Sequence, residues 1–314
     1  MRSGLRIASL LASGTEIVFG IGLGDQLVAV SHECDHPSEV AGRPRVTYAK
    51  VNSDADSRRI DEQVRTMCAQ GEPLYGIDEA KLAALRPNVI LTQAQCDVCA
   101  VRYEDVMTLV GRVPALRETR VTALNPTRLC HVFEDILRVA ESCGVAEAGR
   151  NYVDSLKARV AAVEVRVREN VPIDQRVRVA CLEWLDPPML SANWIPDLIE
   201  LAGGRCELTS AGAHSGYADW DEIRRFDPEV VVLMPCGFDL ARTLSEATVV
   251  QTSPGWGELT AVQNGRVFAV DGNAYFNRSG PRMVDSLEML AGIFHPGMFD
   301  GVLMRFEHAC EPLV

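Results

Sequence analysis

Residues 90–105 read ILTQAQCDVCAVRYED, and within them Cys96 and Cys99 stand in the spacing Cys-x-x-Cys directly after an apolar, strand-like run. Thiols at that spacing have three chemistries open to them. They hold a soft metal such as Zn, Cu(I) or an Fe–S centre, they form a redox dithiol, or they pack as small apolar groups. A redox dithiol needs a depressed thiol pKa, and the flanking Gln95 and Asp97 supply no cation to depress it. Ten cysteines at irregular spacings in 314 residues do not make a small disulfide scaffold. Two further cysteines fall just beyond strand-like runs: Cys34 after LVAVS and Cys236 after VVVLMP. The metal reading therefore expects Cys34, Cys96 and Cys99 as a three-thiolate set for Zn or Fe–S, completed by His32, His36 or a ligand. Cys236, from the other half of the chain, is the alternative fourth sulfur.

Those loops are positioned by alternating strands and helices. Strand-like runs at residues 6–10, 27–31, 89–92 and 120–124 bracket helical runs at 15–21, 78–85 and 104–110. Such spacing implies βαβ units and a parallel sheet. Residues 125–170 carry no strand signal: an amphipathic helix over 127–142 is followed, past Gly144, by a helical run over 146–170 that Pro172 stops. At 1.5 Å per residue that run reaches roughly 36 Å. The strand–helix pattern then restarts with VRVACLEW, IPDLIELAGG, WDEIRRF, EVVVLMP and GRVFAVD, before a C-terminal helix. The expected fold is α/β, with two Rossmann-like lobes carrying parallel sheets over residues 1–125 and 173–314, joined by long helices over 126–172. Ligands of open parallel sheets collect at the carboxyl ends of the strands, so a cleft between the lobes is the expected site.

A formal net charge of -12 argues against nucleic acid as a partner. No apolar run approaches the ~20 residues needed to span a bilayer. The N-terminal MRSGLRIASLLASGTEIVFGIGLG imitates an export signal, but Glu16 interrupts it and RIASL reads better as the first strand. The expected location is the cytosol, or the periplasm if the true start lies upstream. GIGLG follows a helix and precedes a strand, the wrong context for a dinucleotide fingerprint, and no GxSxG, P-loop or HExxH occurs. No catalysis is expected.

Several segments in order resemble the cobalamin-binding members of the helix-linked (class III) substrate-binding proteins of ABC importers. They are RIASLLASGTEIVFGIGLGDQLVAVSHECDHP, LAALRPNVIL, LIELAGGRC followed by WDEIRRFDPEVVVL, and NAYFNRSGPR. The resemblance covers nearly the whole chain. It implies cobalamin, or a related corrinoid or metal chelate, as the ligand. The contacts it implies in the first lobe are Ser13, Glu33, Tyr75 and Gln93. In the second they are Trp184, His214, Tyr217, Tyr275, Phe276 and Arg278, with His214 able to coordinate cobalt or hydrogen-bond an amide. It further implies an ABC permease as partner, docked through carboxylates near Glu79 and Asp221. The alternative is a thiolate metalloprotein or redox enzyme built on the cysteine cluster.

Overall fold

The computed structural model describes residues 4–94 and 100–313. The chain divides into two compact units: the first takes in residues up to 55, 59–126 and 130–155, the second residues 56–58, 127–129 and those from 156 onward. The division falls inside the 25-residue helix Ala146–Asn170, in the segment expected to connect the lobes.

The first unit holds β1 (Ile7–Ser9), β2 (Leu27–Val30), β3 (Thr47–Ala49), β4 (Tyr75–Ile77), β5 (Val89–Gln93) and β6 (Arg120–Leu124). Its four-stranded sheet has the order β2-β1-β5-β6, parallel throughout, with Ile7 opposite both Leu27 and Val89. β3 and β4 form a separate antiparallel ribbon. The inner strand VILTQ is buried at every position, as a strand covered on both faces must be. Leu10, Ile90, Val106, Leu109 and Leu116 form the heart of its core. Each such side chain contributes about 2 kcal/mol on burial.

The second unit holds β7 (Val177–Leu185), β8 (Pro188–Leu190), β9 (Gly204–Arg205), β10 (Gly216–Tyr217), β11 (Val230–Leu233), β12 (Val267–Val270) and β13 (Cys310–Pro312). The sheet order is β10-β8-β7-β11-β12-β13, with β9 beside β7. β7, β11 and β12 form the expected parallel core, and β8, β10 and β13 pair antiparallel with their neighbours at its flanks. The antiparallel strands PML, GY and CEP are short; GY and CEP close the two edges, and PML lies between GY and β7. Pro188 is the first residue of its strand and Pro312 sits on an edge, both positions that tolerate a missing N–H.

Aspartates start the short helices in both units. Asp78 Oδ1 accepts from Lys81 N at 3.0 Å, Asp219 Oδ1 from Asp221 N at 2.9 Å, and Asp239 Oδ1 from Arg242 N at 2.8 Å. Each satisfies an amide that the helix start leaves without a partner. The helix Ser57–Ala69 and the β3–β4 ribbon were not anticipated from sequence. Among the described residues, no helix is long and apolar enough to cross a membrane.

Candidate functional site: strand-end loops of both units

In the first unit, the loop after β2 is a compact polar knot. Cys34 N donates to Ser31 O at 3.2 Å, which turns the chain. Arg45 Nη1 donates to the carbonyls of Ser31, His32 and Cys34, each at 2.9 Å. Thr47, from β3, lies 2.7 Å by its Oγ1 from His32 Nδ1 and donates to Ser31 Oγ at 2.9 Å. The imidazole is thus fixed on one nitrogen. Its Nε2 lies 3.1 Å from Glu33 Oε1, and its ring centroid lies 5.6 Å from that of Tyr75. The ribbon missed from sequence is what supplies both Thr47 and Tyr75.

In the second unit, the turn Gly272–Phe276 follows β12 and folds back over the end of β11. A Cβ on Gly272 would lie 2.4 Å from Pro235 O, so only glycine permits this approach. Asn277 Nδ2 donates to Met234 O at 2.8 Å, and Asp271 accepts from Ala274 N at 2.6 Å. Burial pushes the Asp271 carboxyl up against the lowering effect of that amide. Tyr275 is held half-exposed: its hydroxyl lies 3.1 Å from His308 Nε2, and the Arg282 guanidinium sits 5.4 Å from its ring centroid.

The expected contacts separate by burial. Glu33, Tyr75, His214, Tyr217 (54% exposed) and Tyr275 present surface at or beside strand ends. Phe276 is 0% exposed and is a core residue, because the turn directs it inward while Trp194 Nε1 donates to its carbonyl at 3.0 Å. Trp184, 9% exposed, packs on Phe238 at 5.2 Å, and its Nε1 lies 3.2 Å from both Ser57 O and Asp186 O. Its indole holds the unit together and offers almost no surface to a ligand. Arg278, 7% exposed, donates to Asn273 Oδ1 at 3.2 Å and braces its own loop. Ser13 and Gln93 are buried, one in helix Ala12–Gly20 and one at the end of β5, so neither offers a contact surface as placed.

The thiolate set does not assemble from the described residues. Cys34 is fully buried, with its Sγ 3.1 Å from Thr15 Oγ1. Cys96 and Cys99 lie outside the described residues. Cys236 is half-buried after β11, its amide donating to Glu183 O at 3.0 Å. Among the described residues, no group of three or more His, Cys, Asp or Glu side chains is arranged to hold a metal ion. Elsewhere burial pushes the Cys143 thiol up to about 11 and the Cys310 thiol up to about 12, the signature of inert packing.

Glu79 and Asp221 are both exposed near the starts of short helices. Arg112 Nη2 reaches the two Glu79 oxygens at 2.7 and 2.6 Å, and Asp221 Oδ1 lies 3.2 Å from Arg224 Nη1. Asp221 lines an open hollow of about 650 Å³ with Asp219, Arg224, Arg225 and Glu258.

Residues 7–274 match the family model described as periplasmic binding protein. The chain belongs to the periplasmic binding protein family. Its members bind solutes and are not enzymes, in agreement with the absence of catalysis expected above. The resemblance drawn from the ordered segments holds. The cytosolic location expected from the N-terminus is overturned by the family itself, which is periplasmic. Residues 7–20 form a strand and a helix of the folded unit and carry no information on compartment. An uncharacterised ABC transporter substrate-binding lipoprotein of Bacillus subtilis is 22% identical over 298 residues, covering 94% of this chain and 81% of the relative. The fold is shared with a periplasmic heme-binding protein of Roseiflexus sp. RS-1 in apo form (TM-score 0.68, 20% identity, covering 94% of this chain and 99% of that one). It is shared too with the periplasmic vitamin B12-binding protein of Vibrio cholerae (TM-score 0.64, 20% identity, covering 93% and 96%).

Sequence reasoning missed Glu183, Ser191, Ser215 and Gly272. Glu183 sits inside an apolar strand run, and its two serine partners lie in loops that carry no motif.

Proposed function

We propose that this protein binds a planar metal chelate of the tetrapyrrole class, specifically a corrinoid, through the strand-end loops of its units. The observation that carries the reading is the pair of half-exposed tyrosines at those loops: Tyr75 beside the immobilised His32, and Tyr275 beside Arg282 and His308. A flat macrocycle is bound by ring faces together with a few fixed polar groups at its rim. The similarity to the vitamin B12-binding protein of Vibrio cholerae and to heme-binding proteins supports the same class of solute. His214, exposed in its loop, is the proposed imidazole for the metal or the rim of such a ligand, while His32 Nε2 is buried 3.1 Å from Glu33 Oε1 and orients that carboxylate.

The kinship with an ABC transporter lipoprotein supports a permease partner. Glu79 and Asp221, exposed and already salt-bridged to flexible arginines, are the proposed docking carboxylates.

The test is an absorbance titration with cyanocobalamin and, separately, hemin. Stoichiometric corrin-band changes with cyanocobalamin, weakened about tenfold or more in Tyr275→Ala, are expected, since one aromatic platform is worth about 1–3 kcal/mol when truncated. Saturable hemin binding with no cyanocobalamin response would replace the corrinoid by haem. No response to either would sink the tetrapyrrole reading.

A further inference from the structure

Glu183 lies in the carboxyl half of β7, between Leu182 and Trp184, both buried. A carboxyl group in such a setting needs hydrogen-bond donors to offset its desolvation. Two serine hydroxyls provide them, and both go to the same oxygen: Ser191 Oγ donates to Oε2 at 2.8 Å and Ser215 Oγ at 2.7 Å. Ser215 is itself oriented, because its Oγ accepts from Ala192 N at 3.0 Å and its proton is left to point at the carboxyl. Oε1 receives no hydrogen bond from any described residue. Burial raises the carboxyl and only the two hydroxyls lower it, so no cation is tuned to this group. A purely structural acid gains nothing from one saturated and one idle oxygen. A recognition group held in one rotamer, with one oxygen kept for an incoming partner, is built this way.

Resting on the corrinoid reading above, we infer that Glu183 is a specificity-determining residue whose Oε1 accepts a hydrogen bond from a peripheral carboxamide of the ligand. It thereby selects amide-edged corrinoids over carboxylate-edged macrocycles. The chemistry is asymmetric. A corrin periphery carries primary amides, whose N–H donates to a carboxylate oxygen. Haem carries propionates, which at neutral pH offer only acceptors, and two carboxylates in contact cannot both stay ionised. The mismatched ligand leaves like charges together, and specificity gained from such repulsion exceeds what shape alone supplies.

The experiment compares cyanocobalamin with its monocarboxylates, in each of which one peripheral carboxamide is hydrolysed, by equilibrium titration at pH 7.5. Wild type is expected to bind at least one monocarboxylate about tenfold or more weaker than the parent. In Glu183→Gln, whose amide can donate to a carboxylate, that ratio is expected to fall at least about tenfold, while circular dichroism and the melting transition stay those of wild type. Ser215→Ala, which releases one hold on Oε2, is expected to shrink the ratio by a smaller factor. Wild type that binds every monocarboxylate as tightly as the parent overturns the inference without any variant. So does a ratio unchanged in Glu183→Gln while cyanocobalamin binding persists. Wild type that binds no corrinoid overturns the corrinoid reading, and this inference with it.

Discussion

Helix Glu79–Leu85 of the first unit and helix Trp220–Phe226 of the second each run seven residues between an aspartate cap and a left-handed exit. Arg86 leaves the first at φ 44° and Asp227 leaves the second at φ 49°. Pro87 or Pro228 follows, and then a buried strand, β5 or β11. A non-glycine residue in the left-handed region costs about 1–2 kcal/mol. The two copies differ in what the exit side chain does in return. The Asp227 carboxylate accepts from Thr260 N at 2.8 Å and Thr260 Oγ1 at 2.7 Å, fastening the helix exit to the start of helix Thr260–Gln263. The Arg86 side chain makes no hydrogen bond or ion pair among the described residues, and only its backbone amide is engaged, donating to Ala83 O at 3.2 Å. The backbone device recurs because Asp-cap, heptapeptide and Pro dictate it locally. Only the second copy has been recruited as a lock.

The largest effect follows from removing that lock. Asp227→Ala is expected to lower unfolding free energy by about 2 kcal/mol, for two partly buried hydrogen bonds lost with their donors left behind. Arg86→Ala is expected to stay within about 0.5 kcal/mol, as an exposed side chain without partners should. Urea denaturation of both variants measures the contrast, and equal losses would dissolve it.

Next comes pH. The Thr260 amide and then the Thr260 hydroxyl hold the Asp227 carboxyl below its ordinary value. A carboxylate with a depressed folded-state pKa contributes stability above its unfolded pKa, about 3.9, and loses it as pH falls through the folded value. Wild type should therefore lose stability more steeply than Asp227→Asn as pH drops below about 4. No such difference is expected between wild type and Arg86→Gln.

Relief of backbone strain is smaller. Arg86→Gly should raise stability by up to about 1 kcal/mol, because glycine adopts the left-handed exit freely. Asp227→Gly should still lower it, since the lost hydrogen bonds outweigh the same relief. The smallest effect on stability belongs to the exposed acids at the helix starts. Glu79→Gln and Asp221→Asn should each change it by less than about 0.5 kcal/mol. Both should nonetheless weaken co-purification with a reconstituted permease if these carboxylates dock. Unchanged co-purification would leave them as surface ion pairs only.

Much of this architecture was legible in the residues. Helix Trp220–Phe226, helix Ala146–Asn170 and β6 match their sequence-derived limits, because an aspartate cap, a proline stop or a β-branched run marks each end. Helix Ser57–Ala69 escaped because SRRIDEQVRTMCA is mostly polar and shows only a narrow apolar stripe. Strands of two or three residues are too short for a periodicity to register. At the site, sequence could say which residues follow strands but not where they point. Phe276 illustrates this: the turn after β12 has an i→i+5 backbone bond, Asn277 N to Gly272 O at 2.9 Å, which swings the ring into the core and leaves Tyr275 outside. Glu183 was hidden for the opposite reason. Its neighbours in the strand are apolar, and the two serines that hold it come from loops 8 and 32 residues away in sequence.

Hydrogen–deuterium exchange of the full chain with and without saturating cyanocobalamin tests the central claim most directly. Exchange is expected to slow in residues 31–36 and 272–278, one strand-end loop from each unit, with the helix Ala146–Asn170 unchanged. Bound cyanocobalamin that protects neither loop, or only the helix faces behind the sheets, would contradict it.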